Sequence, residues 1–248
     1  MIKYRTENNI GIITLNRPEK RNALNSELVE QMKIKIDETQ KDENIKALII
    51  TGEGKAFCAG ADLEYLNKLQ DNSPIENEKD SEDLAELFLK IYNYPKPTLA
   101  AVNGAAIAGG CGLASVCDLI VADEEFAKFG YSEGKIGFIP AIVAVFLIKR
   151  IGEGFAKQLL VMGDIINADR AYEIGLANYL NSDTLQGSLE VASGIIQNSM
   201  TSIKETKSMI RSISNLSVEE AINYCTKLNT ISRSTDDFKQ GLKKFLTK

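Results

Sequence analysis

Two glycine-rich turns constrain this chain more than any other feature: Cys58-Ala59-Gly60-Ala61-Asp62 and Ala108-Gly109-Gly110-Cys111-Gly112. Each follows a strand-like run, Ala47 to Thr51 and Thr98 to Val102, and each leads into a segment that reads as helix. Strands alternating with helices imply an α/β domain with a largely parallel sheet. A glycine turn at a helix start exposes backbone N–H groups that lack an intrahelical partner. Two such turns in one domain can aim two N–H groups at one oxygen, as an enolate or a tetrahedral oxyanion requires. The plainer reading is that glycine only permits close strand-to-helix packing there.

Histidine is absent from the 248 residues. That excludes Ser-His-Asp triads, Cys-His dyads and the common His-containing zinc sites, and no other metal site is expected. Acid–base work falls to Asp, Glu, Lys, Tyr or Cys. A net charge of −5 argues against a general nucleic-acid role, so an anionic ligand needs a local basic patch. Cys58, Cys111, Cys117 and Cys225 show no CxxC spacing and read as buried thiols of a reducing, cytoplasmic compartment. Met1 to Tyr4 leads straight into a strand, without a targeting signal. The longest apolar run, Ile139 to Ile148, is too short to span a bilayer, so no membrane role is expected.

Along the chain, Ile10 to Leu15 reads as a strand closed by Asn16-Arg17-Pro18. Ser26 reads as an N-cap, followed by a helix to Thr39 with Leu28, Val29, Met32, Ile34 and Ile36 on its apolar face. Gly52-Glu53-Gly54-Lys55 lacks the spacing of a phosphate-binding loop. A helix is expected over 62–69, a mobile polar loop over 71–80, and a further helix from Ser81 that Pro95 and Pro97 end. Leu119 to Ala122 reads as the next strand. After about Thr184 only helical stretches remain, near 187–199, 201–213, 217–231 and 235–246. The expected organisation is a core over 1–184 and a helical oligomerisation region over 185–248.

Several motifs then agree at once. Ala101-Val102-Asn103-Gly104-Ala105 through Gly112, Cys117-Asp118, Phe129-Gly130-Tyr131-Ser132-Glu133 and Gly137-Phe138-Ile139-Pro140 resemble the enoyl-CoA hydratase/isomerase (crotonase) family. So do Asn16-Arg17-Pro18, Asn22-Ala23-Leu24 and Ala56 through Leu63. The resemblance implies a crotonase (ClpP-like) spiral of ββα units with a helical C-terminal region, assembled as a trimer or a dimer of trimers. It implies an acyl-CoA thioester as substrate and no separate cofactor, coenzyme A being part of that substrate. By motif position the N–H groups of Ala61 and Gly109, with Gly110 beside them, would form an oxyanion hole. Ala59 and Ala61 through Asp62, Leu63 and Glu64 would line the thioester and pantetheine, and Lys20, Arg21, Asn22, Ala23 and Leu24 would approach the nucleotide end. Lys20 and Arg21 read on their own as a solvated turn just as well.

The hydratases of that family use two glutamates. The second falls on Glu133 and the first on Gly112, which has no side chain. Taken alone, Glu133 reads as a helix N-terminal carboxylate; with the resemblance it reads as the acid–base residue, its pKa raised by Phe129, Tyr131, Phe138 and Ile139. One carboxylate suffices to move a proton between C2 and C4 of a 3-enoyl thioester. Hydration asks one glutamate to serve both proton steps, yet Ser132-Glu133-Gly134-Lys135-Ile136-Gly137 resembles the single-glutamate hydratases. The expectation is therefore a hydratase, with Δ3-Δ2 isomerase and a non-catalytic CoA-binding protein as alternatives. Asp118 is expected to be structural.

Overall fold

A computed structural model of the chain describes residues 1–247. Two compact units divide it, Met1–Ser193 and a second that begins at Gly194. In chain order the first unit runs β1 (Ile2–Glu7), β2 (Ile10–Leu15), α1 (Ser26–Lys41), β3 (Ala47–Gly52), β4 (Ala56–Cys58), α2 (Leu63–Leu69) and α3 (Pro74–Tyr92). It continues with β5 (Thr98–Val102), β6 (Ala105–Ile107), α4 (Gly109–Ser115), β7 (Leu119–Ala122), β8 (Lys128–Gly130) and α5 (Ala141–Met162). β9 (Ile165–Asn167), α6 (Ala168–Glu173), β10 (Tyr179–Leu180) and α7 (Thr184–Ile195) close it.

Two sheets share these strands. One has the order β1-β2-β3-β5-β7-β10, the other β4-β6-β8-β9. All pairings are parallel except β1–β2 and β8–β9. β3 and β5 are buried throughout, so they read as unbroken apolar runs rather than alternating ones. Three times a strand of the larger sheet leads directly into one of the smaller sheet: β3 to β4, β5 to β6 and β7 to β8. Each time a helix or a 3-10 turn follows: α2, α4, and the turn Glu133–Ile136. This repeated ββα step is the α/β spiral that the sequence implied, and it gives the three turns equivalent places.

Several local expectations need correction. The stretch 71–80 is not a loop, and the helix does not open at Ser81: α3 starts at Pro74. Ser73 and Glu76 form a reciprocal capping box with Pro74 in the first turn, a start signal that the lack of apolar period conceals. Asn25 rather than Ser26 caps α1, its side chain accepting from the Leu28 amide at 2.9 Å. Ile34 is not on the buried face; it is 49% exposed. Asp118 is structural as expected, its Oδ2 accepting from the Thr98 amide at 2.7 Å and the Thr98 hydroxyl at 3.0 Å.

The first of the four expected C-terminal helices, α7, lies at the end of the first unit, with Ser188 and Ala192 fully buried. The units divide at 193/194, where the sequence suggested 184/185. The second unit holds α8 (Met200–Ile213), α9 (Val218–Ser234) and α10 (Asp236–Leu246), close to the expected spans. Among the described residues no helix is long and apolar enough to cross a membrane.

Candidate active site

β4, β6 and β8 are neighbouring parallel strands of the smaller sheet. Ala61, Gly109 and Glu133 each lie two or three residues past the carboxyl end of one of them. Adjacent strands stand roughly 4.8 Å apart, so the topology alone brings the three residues to one edge. The carboxyl ends of parallel strands are where α/β sheets hold ligands.

The two glycine turns abut. Gly60 has φ +89°, and a Cβ added there would fall 2.8 Å from Ile107 O and 3.4 Å from the Gly109 nitrogen. Only glycine satisfies both the backbone angle and this approach. Ala108 caps α4 with φ 51° and ψ −122° and gives no side-chain cap. A non-glycine residue in that region is strained, and such strain gathers at functional sites. The first amides of α4, beginning at Gly109, therefore have no capping side chain. Gly110 is pressed against β4, where a Cβ would fall 2.1 Å from Cys58 O.

The loop over residues 20–24 forms the adjoining wall. Leu24 donates to Gly60 O at 2.7 Å and accepts from the Asp62 amide at 2.8 Å, a parallel bridge. That pairing uses the residues on either side of Ala61 and turns the Ala61 amide to the other side. The Ala59 amide donates to Arg21 O at 3.0 Å. Ala23 and Leu24 are buried, and Leu24 Cδ1 lies 3.4 Å from the position of a Cβ on Gly109.

Asn22, expected to approach the nucleotide end, and Arg17, for which the sequence implied no role, hold this wall. Asn22, fully buried, donates to Glu53 O and Ala56 O at 3.0 and 2.8 Å and accepts from the Arg17 amide at 2.9 Å. Arg17 donates to Ala23 O at 2.6 Å and to Asp62 Oδ2 at 2.8 Å. Asp62 also caps α2, accepting from the Glu64 and Tyr65 amides at 3.0 and 3.4 Å. The Arg17 guanidinium and these amides hold the Asp62 carboxyl below the usual range against the opposing effect of burial. Arg17 stood inside the motif Asn16-Arg17-Pro18, and that was its only signal.

Lys20 Nζ meets Glu64 Oε1 at 2.5 Å, and this hydrogen bond raises the lysine pKa. Arg21, Leu63 and Glu64 are exposed on the same wall.

Glu133 opens the 3-10 turn after β8 and is 9% exposed. Its Oε2 is buried without a hydrogen-bond partner. Burial raises its pKa above the ordinary glutamate value of 4.5. A carboxyl group kept unpaired and desolvated can both take and return a proton. Phe129 and Tyr131 are fully buried, whereas Phe138 and Ile139 are 56% and 75% exposed. Burial pushes the Cys111 thiol up to about 12, and the Glu133 carboxylate nearby adds to that shift, which places Glu133 beside α4.

Gly112 faces away from open space. A Cβ there would fall 2.3 Å from Val143 Cγ1 and 3.1 Å from Phe88 Cε2. Apolar side chains from α3 and α5 fill the place where a second carboxylate would start.

A separate surface cavity of about 690 Å³ lies at the carboxyl ends of the larger sheet, lined by Lys3, Thr51, Asn103, Asp123 and Asp183 among others. None of the residues discussed above as catalytic lines it.

Comparison with known proteins agrees with this geometry. The family model described as enoyl-CoA hydratase/isomerase matches residues 5–248. A Thermus thermophilus protein provisionally named an enoyl-CoA hydratase is 39% identical over 241 residues, 96% of this chain and 95% of the relative. The short-chain-enoyl-CoA hydratase of Clostridium acetobutylicum is 32% identical, covering 98% and 93%. A crystal structure from Legionella pneumophila, provisionally described as an enoyl CoA hydratase/isomerase (crotonase), superposes with a TM-score of 0.93 at 35% identity, covering 99% and 96%. With its ββα spiral and near-complete sequence match, the chain belongs to the enoyl-CoA hydratase/isomerase family and has the crotonase fold.

Proposed function

We propose that the chain hydrates the 2,3 double bond of a 2-enoyl-CoA thioester. Glu133 carries the reading: a buried, unpaired carboxyl with a raised pKa, at the same sheet edge as the two abutting glycine turns. The thioester oxygen accepts from the Ala61 and Gly109 amides, with Gly110 packing behind them. As a nucleophile adds at Cβ, enolate charge grows on that oxygen; each such donor is worth roughly 10²–10³ in rate. Glu133 activates the water and returns a proton to Cα. Ala59, Asp62, Leu63 and Glu64 flank the pantetheine, while Lys20, Arg21, Ala23 and Leu24 flank the nucleotide. Asp62 serves there through Arg17, by fixing the wall rather than by touching the reacting atoms. The names of the relatives support a hydratase. A cytoplasmic homo-oligomer, trimer or dimer of trimers, completes the proposal.

A second reading, Δ3-Δ2 isomerase with Glu133 as sole base, is favoured by Val143 and Phe88 occupying the space beside Gly112. Incubation with crotonyl-CoA and separately with a 3-enoyl-CoA distinguishes the two. Hydration removes the conjugated thioester absorbance and adds one water to the product mass. Isomerisation creates that absorbance at constant mass. Turnover of neither ester, with CoA esters still bound, leaves a binding protein.

A further inference from the structure

At Tyr131, two positions before Glu133 in the chain, lies a buried polar cluster for which the hydration chemistry has no use. Tyr131, fully buried, sits between β8 and Glu133. Its hydroxyl is 3.0 Å from Ser115 Oγ, which is also buried. Ser115 is the last residue of α4, the helix that opens at Gly109. Cys111, on the same helix and fully buried, lies beside the Tyr131 hydroxyl. The far end of α4 is held independently: Arg150 donates to Cys117 O at 2.8 Å, Leu176 O at 2.9 Å and Ser115 O at 3.4 Å. Its near end is pressed on Cys58 through Gly110. The Tyr131–Ser115 bond ties this clamped helix to the segment that carries Glu133, alongside the Ala108 amide, which donates to Gly130 O at 2.7 Å at the start of α4.

We propose that Tyr131 is a positioning residue whose hydroxyl, bound to Ser115, sets the separation between the Gly109 amide and the Glu133 carboxyl. A buried hydroxyl pair in low dielectric is a stiff link, because leaving either partner unpaired is costly. Only Ser132 separates Tyr131 from Glu133 in the chain, so a shift of the ring carries directly into the carboxyl. The inference rests on the acid–base role of Glu133.

Steady-state kinetics on crotonyl-CoA of Tyr131→Phe, Ser115→Ala and the double variant test it, with Glu133→Gln alongside. Each single variant is expected to lower kcat roughly tenfold with KM within about twofold, less than the ~10²-fold that a misplacement of about 1 Å can cost. The double variant is expected to lose no more than the worse single one, since the same bond is removed. Ser115→Ala breaks the bond without touching the aromatic core, which covers the case of a Tyr131→Phe that folds poorly. A kcat within twofold of the parent for folded variants, or additive losses in the double variant, overturns the proposal. If Glu133→Gln itself stays active, the acid–base reading fails instead.

Discussion

Val143 occupies the volume that a side chain at Gly112 would need: a Cβ on Gly112 would lie 2.3 Å from Val143 Cγ1. Helix α4 therefore packs on α5 through a missing side chain, and the site is confined to one carboxylate by packing as well as by sequence.

Gly112→Ala is expected to destabilise the protein. Alanine is the better helix residue by about 1 kcal/mol, but overpacking a buried contact costs roughly 1–3 kcal/mol, and here the closest atom is a β-branched side chain that cannot swing away. Thermal melts of Gly112→Ala, Val143→Ala and the pair check this. The pair should recover most of the Tm lost by Gly112→Ala, because Cγ1 is the atom removed. A Gly112→Ala variant that melts higher than the parent contradicts the packing argument. By the same contact, Gly112→Glu alone should lose stability rather than gain hydration.

Asp62→Ala should be strongly destabilising. Arg17 and Asp62 are only 11% and 8% exposed at their side chains, and the carboxylate also caps α2. Stranding one partner of a buried pair costs roughly 3 kcal/mol or more. At about 2–4 °C per kcal/mol this lowers Tm by roughly 6–12 °C. The folded pKa of Asp62 is depressed, so its contribution is complete above the ordinary aspartate value of 3.8 and disappears as pH falls through the lower folded value. Urea unfolding of parent and variant at neutral pH measures the loss; equal midpoints would contradict it.

The pH dependence of Glu133 runs the other way. Its folded pKa is raised, so the folded protein holds a proton at pH values where the unfolded chain has released it. Burying that charge therefore lowers stability as pH rises through the window above 4.5. Glu133→Gln should melt higher than the parent at neutral pH, and the difference should shrink once both states are protonated below 4.5. A variant that melts lower at neutral pH would show that the carboxylate is stabilising and not desolvated.

Much of this was legible in the sequence, for identifiable reasons. β2, β3, β5 and β7 are four to six residues of apolar or β-branched character and stand out as runs. The smaller sheet was not legible, because β4, β6, β8 and β9 are three residues each, too short for any period. Yet that sheet brings Ala61, Gly109 and Glu133 together, so the sequence could name these residues by resemblance but not derive their meeting. The Tyr131–Ser115 bond spans sixteen residues and two elements, and no local pattern encodes it. Start signals were the other weak point: Ser73 with Pro74 and Glu76 outranked the absence of an apolar stripe over 71–80.

Assembly is open to direct measurement. Val218, Ile222 and Ile231 on α9 are 74%, 63% and 62% exposed, and Val145 and Val161 on α5 are 53% and 84% exposed. Exposed apolar side chains of this kind are what the proposed homo-oligomer would cover. Light scattering at micromolar concentration should give a multiple of 27.2 kDa. A stable 27.2 kDa monomer would contradict the oligomer.

The central claim is that Glu133 is the acid–base group, and the turnover of crotonyl-CoA by Glu133→Gln tests it most directly. The account predicts unchanged binding of CoA esters with kcat lowered by roughly 10²–10⁴, the usual worth of a general acid–base. Turnover of that variant within a few-fold of the parent would contradict it.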